Sequence, residues 1–317
     1  MLRLFIVALP LLLAGTALCA QAGPDYAQAE LDDGRILAST TGAYRDGATY
    51  QAGSISKYAC TLAALRLVDR GALDLDTPVA RYLPEQDPRW SEKVTLRHLM
   101  ANRSGLPDGL TPVIQTDMAA ALVDRPVGKA LSEYVQGPPT FDPGSRYSYD
   151  LVNWIAVKAV LRSVTGQPLA EVLGKLVFEP AGMGRTSLYD PQRLAQIQAA
   201  QDGDVAPPDY LACAGGLVSA PRDIVAMLRF ANKGGLSEGT LSDLRTITTP
   251  EENYTLGGRV ERKGDRLLDW KTGSNGPYKS LAVYDPARDI GFAAMTASGE
   301  WDAINAARDA WIERTAP

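Results

Sequence analysis

Ser54 and Lys57 stand three residues apart in Gly53-Ser54-Ile55-Ser56-Lys57, at the head of a run with apolar residues at helical spacing. The run carries Ala59, Leu62, Ala63, Leu65, Leu67 and Val68, and Gly71 stands where a C-terminal cap belongs. Residues three apart share one side of a helix, about one turn from each other, so the Lys57 amine falls within reach of the Ser54 hydroxyl. A serine hydroxyl is a weak nucleophile at neutral pH and an adjacent amine can take its proton; burial and a second cation nearby favour the neutral amine that does so. Backbone N–H groups at the helix start point toward Ser54, where the oxyanion of an acyl transfer would form. Read alone, the same residues describe a serine N-cap and a solvated first-turn lysine. A second segment, Lys271-Thr272-Gly273, lies in a strand-like pattern. Its lysine and threonine can bind a carboxylate, and its glycine lets a substrate approach the backbone. The only histidine, His98, lies in a helical stretch with nothing at useful spacing to pair it with Ser54, and reads as structural. Asp74 and Asp76 alternate with leucines after Gly71 and read as turn-forming residues, not as an acid/base pair.

These residues need a scaffold, and length and composition bound it. Met1-Leu2-Arg3, the apolar stretch Leu4 to Leu13 and the small-x-small ending Ala20-Gln21-Ala22 read as a secretory signal over residues 1–22, too short to span a bilayer. Leu18 before Cys19 argues against lipid attachment there. Residues 23–317 form the expected mature domain, periplasmic or secreted. Loss of the leader removes one arginine and no acid, so 31 basic against 37 acidic groups leave a formal charge of −6. An acidic chain without a dense Lys/Arg cluster argues against a nucleic-acid partner. No later stretch is apolar for 18 residues, so no integral membrane segment is expected in the mature chain. The sequence does not speak to the oligomeric state. With one histidine and no ligand-spaced cluster, neither a metal site nor a cofactor is expected. Cys60 and Cys213 can pair in an oxidising compartment, but the reading favoured is two buried, unpaired thiols.

Along the chain, short strands are expected within residues 35–52, helices near 95–102, 117–135, 150–165, 168–177 and 220–232, the last with Ser219 as N-cap. Strands return near 256–262, 266–273, 278–285 and 289–297, before a final helix over 300–314. Strands at both ends with helices between them imply an α+β fold: one antiparallel sheet built from both chain ends, flanked by helices, with a mostly helical insertion.

On these residues the chain resembles the serine β-lactamase and penicillin-binding-protein superfamily. The similarity is to the branch of class C β-lactamases, D-alanyl-D-alanine carboxypeptidases and β-lactamase-like esterases, among whose motifs are S-x-x-K and K-T-G. Gln51 to Lys57, Gly71 to Asp76, Arg103 to Pro107, Phe178 to Met183 and Ala214 to Ser219 carry it over residues of about 35 to 300. The resemblance implies a β-lactamase/transpeptidase-like fold and a third catalytic element, the tyrosine after a Pro-Gly pair. In Pro143-Gly144-Ser145-Arg146-Tyr147-Ser148-Tyr149 that tyrosine is Tyr149, held between two lysines as proton carrier. It also implies that the N–H groups of Ser54 and Ser274 form an oxyanion hole. Where relatives carry an asparagine for substrate amides this chain has Leu151, which offers no side-chain donor or acceptor and favours an ester. Lys271, in place of the His or Trp of many esterase-like relatives, favours an anionic substrate.

The expected activity is therefore a serine acyl hydrolase with Ser54, Lys57 and Tyr149 as catalytic residues. Its small-molecule or peptide substrate, a β-lactam or a D-peptide, would be bound by Lys271, Thr272, Gly273, Ser274 and Leu151. The alternatives are a carboxylesterase on the same scaffold or a catalytically silent binding protein, the latter because the N-terminal region looks short enough to lack one or two strands.

Overall fold

A computed structural model describes residues 24–200, 203 and 205–317; the leader read over residues 1–22, with Cys19, lies outside them. Three strands come first, β1 (Tyr26–Asp32), β2 (Arg35–Thr41) and β3 (Tyr50–Gln51). The helices α1 (Ile55–Asp69) and α2 (Leu151–Thr165) lie in the stretch that follows. Next come β4 (Ser187–Leu188), α3 (Ala212–Gly215), β5 (Leu217–Ser219), α4 (Pro221–Asn232) and α5 (Glu238–Arg245). Four long strands, β6 (Arg259–Lys263), β7 (Arg266–Asn275), β8 (Tyr278–Asp285) and β9 (Ile290–Thr296), precede the C-terminal helix α6 (Asp302–Arg314).

Six strands form one antiparallel sheet in the order β2-β1-β9-β8-β7-β6, so the two ends of the described chain meet at the β1–β9 pair. The α+β expectation holds, with one addition. β1 was not anticipated, yet Ala27, Ala29 and Leu31 alternate inward, as a strand with one face on the core requires. It supplies a strand the short N-terminal region seemed to lack. β8 and β9 are buried on both faces: Leu281, Val283, Phe292 and Ala294 pack with Ile304 and Trp311 of α6, while Ala282, Tyr284, Ala293 and Met295 join the main core. A second sheet, β3-β5-β4, lies beside the site.

Helix α1 is buried on every side from Ile55 to Leu65, as befits a helix without a polar stripe. Gly71 ends it as expected, at φ +69 with its N–H donating to the Val68 carbonyl. The expected helix over 117–135 is instead two pieces, Met118–Ala121 and Val127–Tyr134, because Pro126 cannot continue the first. Ser219 does not cap α4: it ends β5, its hydroxyl engages Thr186, and Ala220 takes the N-cap position. Nor are Cys60 and Cys213 free thiols. α1 packs on α3 with the two Cα atoms 5.7 Å apart, and the sulfurs are bonded. Their spacing along the chain hid a contact that only tertiary packing creates. No helix among the described residues is long and apolar enough to cross a membrane.

Candidate active site

Ser54 sits at the turn into α1, and its hydroxyl makes no helix-capping bond. Two donors converge on that oxygen instead: Lys57 Nζ at 2.9 Å and the Tyr149 hydroxyl at 2.9 Å. One helical turn sets the first distance. The second depends on the loop before α2, which is fastened to the segment after the His98 helix. There Arg103 Nε donates to the Gly144 carbonyl at 2.9 Å, and the Ser148 N–H to that of Asn102 at 2.8 Å. Lys57 is 1% exposed; its ammonium also donates to the Ala214 carbonyl of α3 at 2.8 Å and lies 4.9 Å from the Tyr149 ring centre.

Tyr149 is 41% exposed, yet its hydroxyl reaches in to the serine. Burial of that end raises the phenol pKa. The Lys57 ammonium, the hydrogen bonds to Ser54 and Lys57 and the Arg259 guanidinium outweigh it, and hold the phenol below its ordinary value. The tyrosine thus has the Lys57 and Arg259 cations acting on it, and it shares the cleft with Lys271.

β7 forms the opposite wall, packed so tightly on the turn before α1 that only glycine fits. A Cβ on Gly273 would lie 1.9 Å from the Ala52 carbonyl oxygen, and one on Gly53, at φ +52, 2.4 Å from the Ser274 nitrogen. The Ser274 backbone is thereby held against the residue preceding Ser54, while its side chain accepts from Lys279 Nζ at 2.9 Å. Thr272 and Lys271 line the cleft with Ser54, Lys57 and Tyr149. Lys271 is only 3% exposed: its ammonium donates to the Arg259 carbonyl at 3.2 Å and lies 4.6 Å from the Tyr58 ring centre. Leu151 is not among the residues lining the cleft. It begins α2 and packs on the apolar core, and the nearby Asn153 is buried in contacts with Ser104 and Asn102. His98 caps the helix Leu96–Met100, its Nδ1 accepting from the Thr95 N–H, and Asp74 accepts the N–H groups of Asp76 and Thr77 in a turn.

Sequence reasoning missed Tyr254, Gly258 and Arg259, which also line the cleft. The Arg259 guanidinium is 42% exposed and bonds Glu252 at 2.9 Å and the Tyr147 hydroxyl at 3.3 Å. The pair Gly257-Gly258 just before a strand was the available signal, since paired glycines there mark a close approach of backbone to another group.

The chain belongs to the Beta-lactamase family, whose model matches residues 20–316. Esterase EstB of Burkholderia gladioli is 35% identical over 164 residues, 48% of this chain and 42% of that protein. A putative D-alanyl-D-alanine carboxypeptidase of Escherichia coli (strain K12) is 25% identical over 285 residues, 77% of this chain and 63% of that one. The chain therefore spans less than two-thirds of either relative. The crystal structure of the D-amino acid amidase from Ochrobactrum anthropi SV3 superposes with a TM-score of 0.76 over 92% of this chain and 95% of that one, at 20% identity, a likeness of fold.

Proposed function

We propose that this chain is a secreted serine acyl hydrolase that works through an acyl-enzyme on Ser54. The convergence of Lys57 and Tyr149 on the Ser54 oxygen, each at 2.9 Å, carries this reading. With the phenol ionised, the same contact runs the other way: Ser54 gives its proton to Tyr149 as its oxygen attacks the substrate carbonyl carbon. The carbonyl π pair moves onto oxygen, facing the N–H groups of Ser54 and Ser274. Collapse restores the carbonyl and expels the leaving group, which takes the proton from Tyr149. Water repeats the path on the ester, freeing the acid and Ser54. Lys57 keeps the phenolate and the serine oxygen beside a positive charge throughout.

The substrate is a β-lactam or D-peptide-like compound whose anionic group is read by Lys271 and Thr272, with Arg259 at the rim. A relative described as a putative D-alanyl-D-alanine carboxypeptidase supports this class. A carboxylesterase is the second reading, favoured by the likeness to EstB; Leu151 packs on the core outside the cleft and so offers no amide-binding group there. Secretion is supported by the apolar leader and by the Cys60–Cys213 bond, which persists in oxidising compartments.

Intact-mass spectrometry after mixing with a penicillin, a cephalosporin and a p-nitrophenyl ester tests the claim. An acyl adduct, stable or transient, is expected with at least one of them and is lost in Ser54→Ala. No adduct and no turnover with any of the three would sink the catalytic reading and leave a silent binding protein.

A further inference from the structure

Lys271 and Asp269 are two residues apart on β7, so their side chains leave the same face of the strand. Both are buried, at 3% and 7% exposure, and Asp269 Oδ1 lies 3.9 Å from Lys271 Nζ. The other carboxylate oxygen, Oδ2, accepts from Asn232 Nδ2 of α4 at 3.0 Å. Asn232 Oδ1 in turn accepts from Arg245 of α5, from Nη2 at 2.7 Å and Nε at 3.0 Å. Arginine has donors only, so Arg245 fixes which end of the amide faces it and turns the NH2 group toward position 269. That position must then present an acceptor. A string of three side chains from three elements thus ends on the lysine that lines the cleft.

The space around Lys271 is equally specific. A Cβ on Gly258 would lie 2.5 Å from its Cδ, 2.7 Å from its Cε and 2.8 Å from its Nζ, so the absent side chain at 258 is what lets the ammonium lie there. Facing it are Lys57 and Tyr58 of α1, Arg259 of β6, and Tyr149 and Tyr254 across the cleft; Tyr284 of β8 and Arg245 lie beyond Asp269. Three of these residues, Lys57, Arg259 and, beyond Asp269, Arg245, are cations. Among the described residues Asp269 is the one carboxylate within 4.0 Å of the Lys271 ammonium. A buried ammonium without a counter-charge gives up its proton or costs several kcal/mol.

We propose that Asp269 is a positioning residue of the cleft: it holds the Lys271 ammonium beneath Gly258 and balances its charge, so that an anionic substrate meets a fixed cation. The inference rests on reading the Ser54 cleft as an acyl-transfer site with Lys271 as its anion reader. Burial drives the Lys271 pKa down and Asp269 opposes that shift, in agreement with the geometry.

Asp269→Asn keeps the shape and an oxygen for Asn232 and removes only the charge. On a p-nitrophenyl half-ester of a dicarboxylic acid, KM of the variant is expected to climb with pH from a lower pH than in the wild type, by up to about ten-fold per pH unit once Lys271 loses its proton. On neutral p-nitrophenyl acetate the rise is expected to be smaller, and Asp269→Glu should restore much of the wild-type profile. Parallel KM profiles for the two esters would overturn the proposal.

A second measurement needs no substrate. Asp269→Asn is expected to lower Tm at neutral pH in the wild-type chain and to lower it much less in a Lys271→Met background. The loss should shrink as pH rises. The unfolded variant keeps its lysine proton to higher pH than the folded one, so the unfolded state binds more protons and stability climbs with pH. An equal loss in both backgrounds overturns the pairing. Should the wild type form no acyl adduct, the functional reading fails by itself, and this melting cycle still decides whether Asp269 holds Lys271.

Discussion

The two walls of the cleft each bury a lysine, and they wire it differently. On the helical wall the Lys57 ammonium bonds the nucleophile itself and a backbone carbonyl, with aromatic faces around it, and among the described residues no carboxylate pairs with it. On the sheet wall the Lys271 ammonium bonds a backbone carbonyl and faces Asp269, with no bond to Ser54. A lysine tied to the serine oxygen is placed to hold positive charge against the nucleophile and the Tyr149 phenolate, whereas one tied to a carboxylate is placed to present its charge to a substrate. The walls also differ in what fixes them. A covalent bond joins α1 to the helix that supplies the carbonyl to Lys57, whereas the fit of Lys271 depends on the missing side chain of Gly258.

The largest effect should come from the helical wall. Tyr149→Phe removes the proton carrier and keeps the ring over Lys57, and kcat/KM is expected to fall by about 10² to 10⁴ on neutral and anionic esters alike. In the wild type, Tyr149 acting as base makes acylation rise with pH and level off below the range where a free tyrosine titrates, because its phenol is held down; the variant's profile should flatten. Lys271→Ala should spare the neutral ester by comparison. If it costs the neutral ester as much as Tyr149→Phe does, the division of labour between the walls is wrong.

Next in size is the bond behind Lys57. Cys213 directly precedes Ala214, whose carbonyl accepts from the Lys57 ammonium, and Cys60 lies three residues beyond Lys57 on α1. Replacing both cysteines by alanine is expected to cost about 2–4 kcal/mol of stability, read by urea unfolding, and to lower kcat on both kinds of ester. A loss of stability with kcat untouched would mean that the covalent bond braces the fold without tuning the lysine.

What the sequence disclosed follows the same division. Ser54 and Lys57 lie within one turn of one helix, so their meeting is a local fact that spacing reveals. Lys271 to Gly273 lie on one strand, and Tyr149 was found by its distance from a Pro-Gly pair. The features that went unread are those made by contacts between distant segments. Cys60 and Cys213 are separated by 153 positions, and no local pattern says that their helices touch. Asp269 looks like one more polar residue in an alternating strand until α4 and α5 deliver Asn232 and Arg245 to it. Arg259 went unread as a cation acting on Tyr149, because it is β6 that places it beside Tyr147 and Tyr254. The end-to-end sheet was legible from strand order, and β1 was missed although its alternation was present.

The smallest effect tests how the sheet wall holds its lysine. Gly258 needs no positive φ, so alanine suits its backbone, and the atoms a methyl group would meet are the far end of the flexible Lys271 side chain. Relief should come from the lysine moving, at a cost of about 1 kcal/mol, not from displacement of a strand. Gly273 offers the contrast, because a methyl group there meets the Ala52 carbonyl and neither partner can swing away. Gly258→Ala is therefore expected to fold, with Tm lower by about 2–4 °C, and to change KM for an anionic ester by a few-fold while moving neutral-ester turnover less. A fall in neutral-ester kcat as large as the change in anionic-ester KM would show that Lys271, like Lys57, acts on the reacting groups at Ser54, and the two walls would have to be described as one.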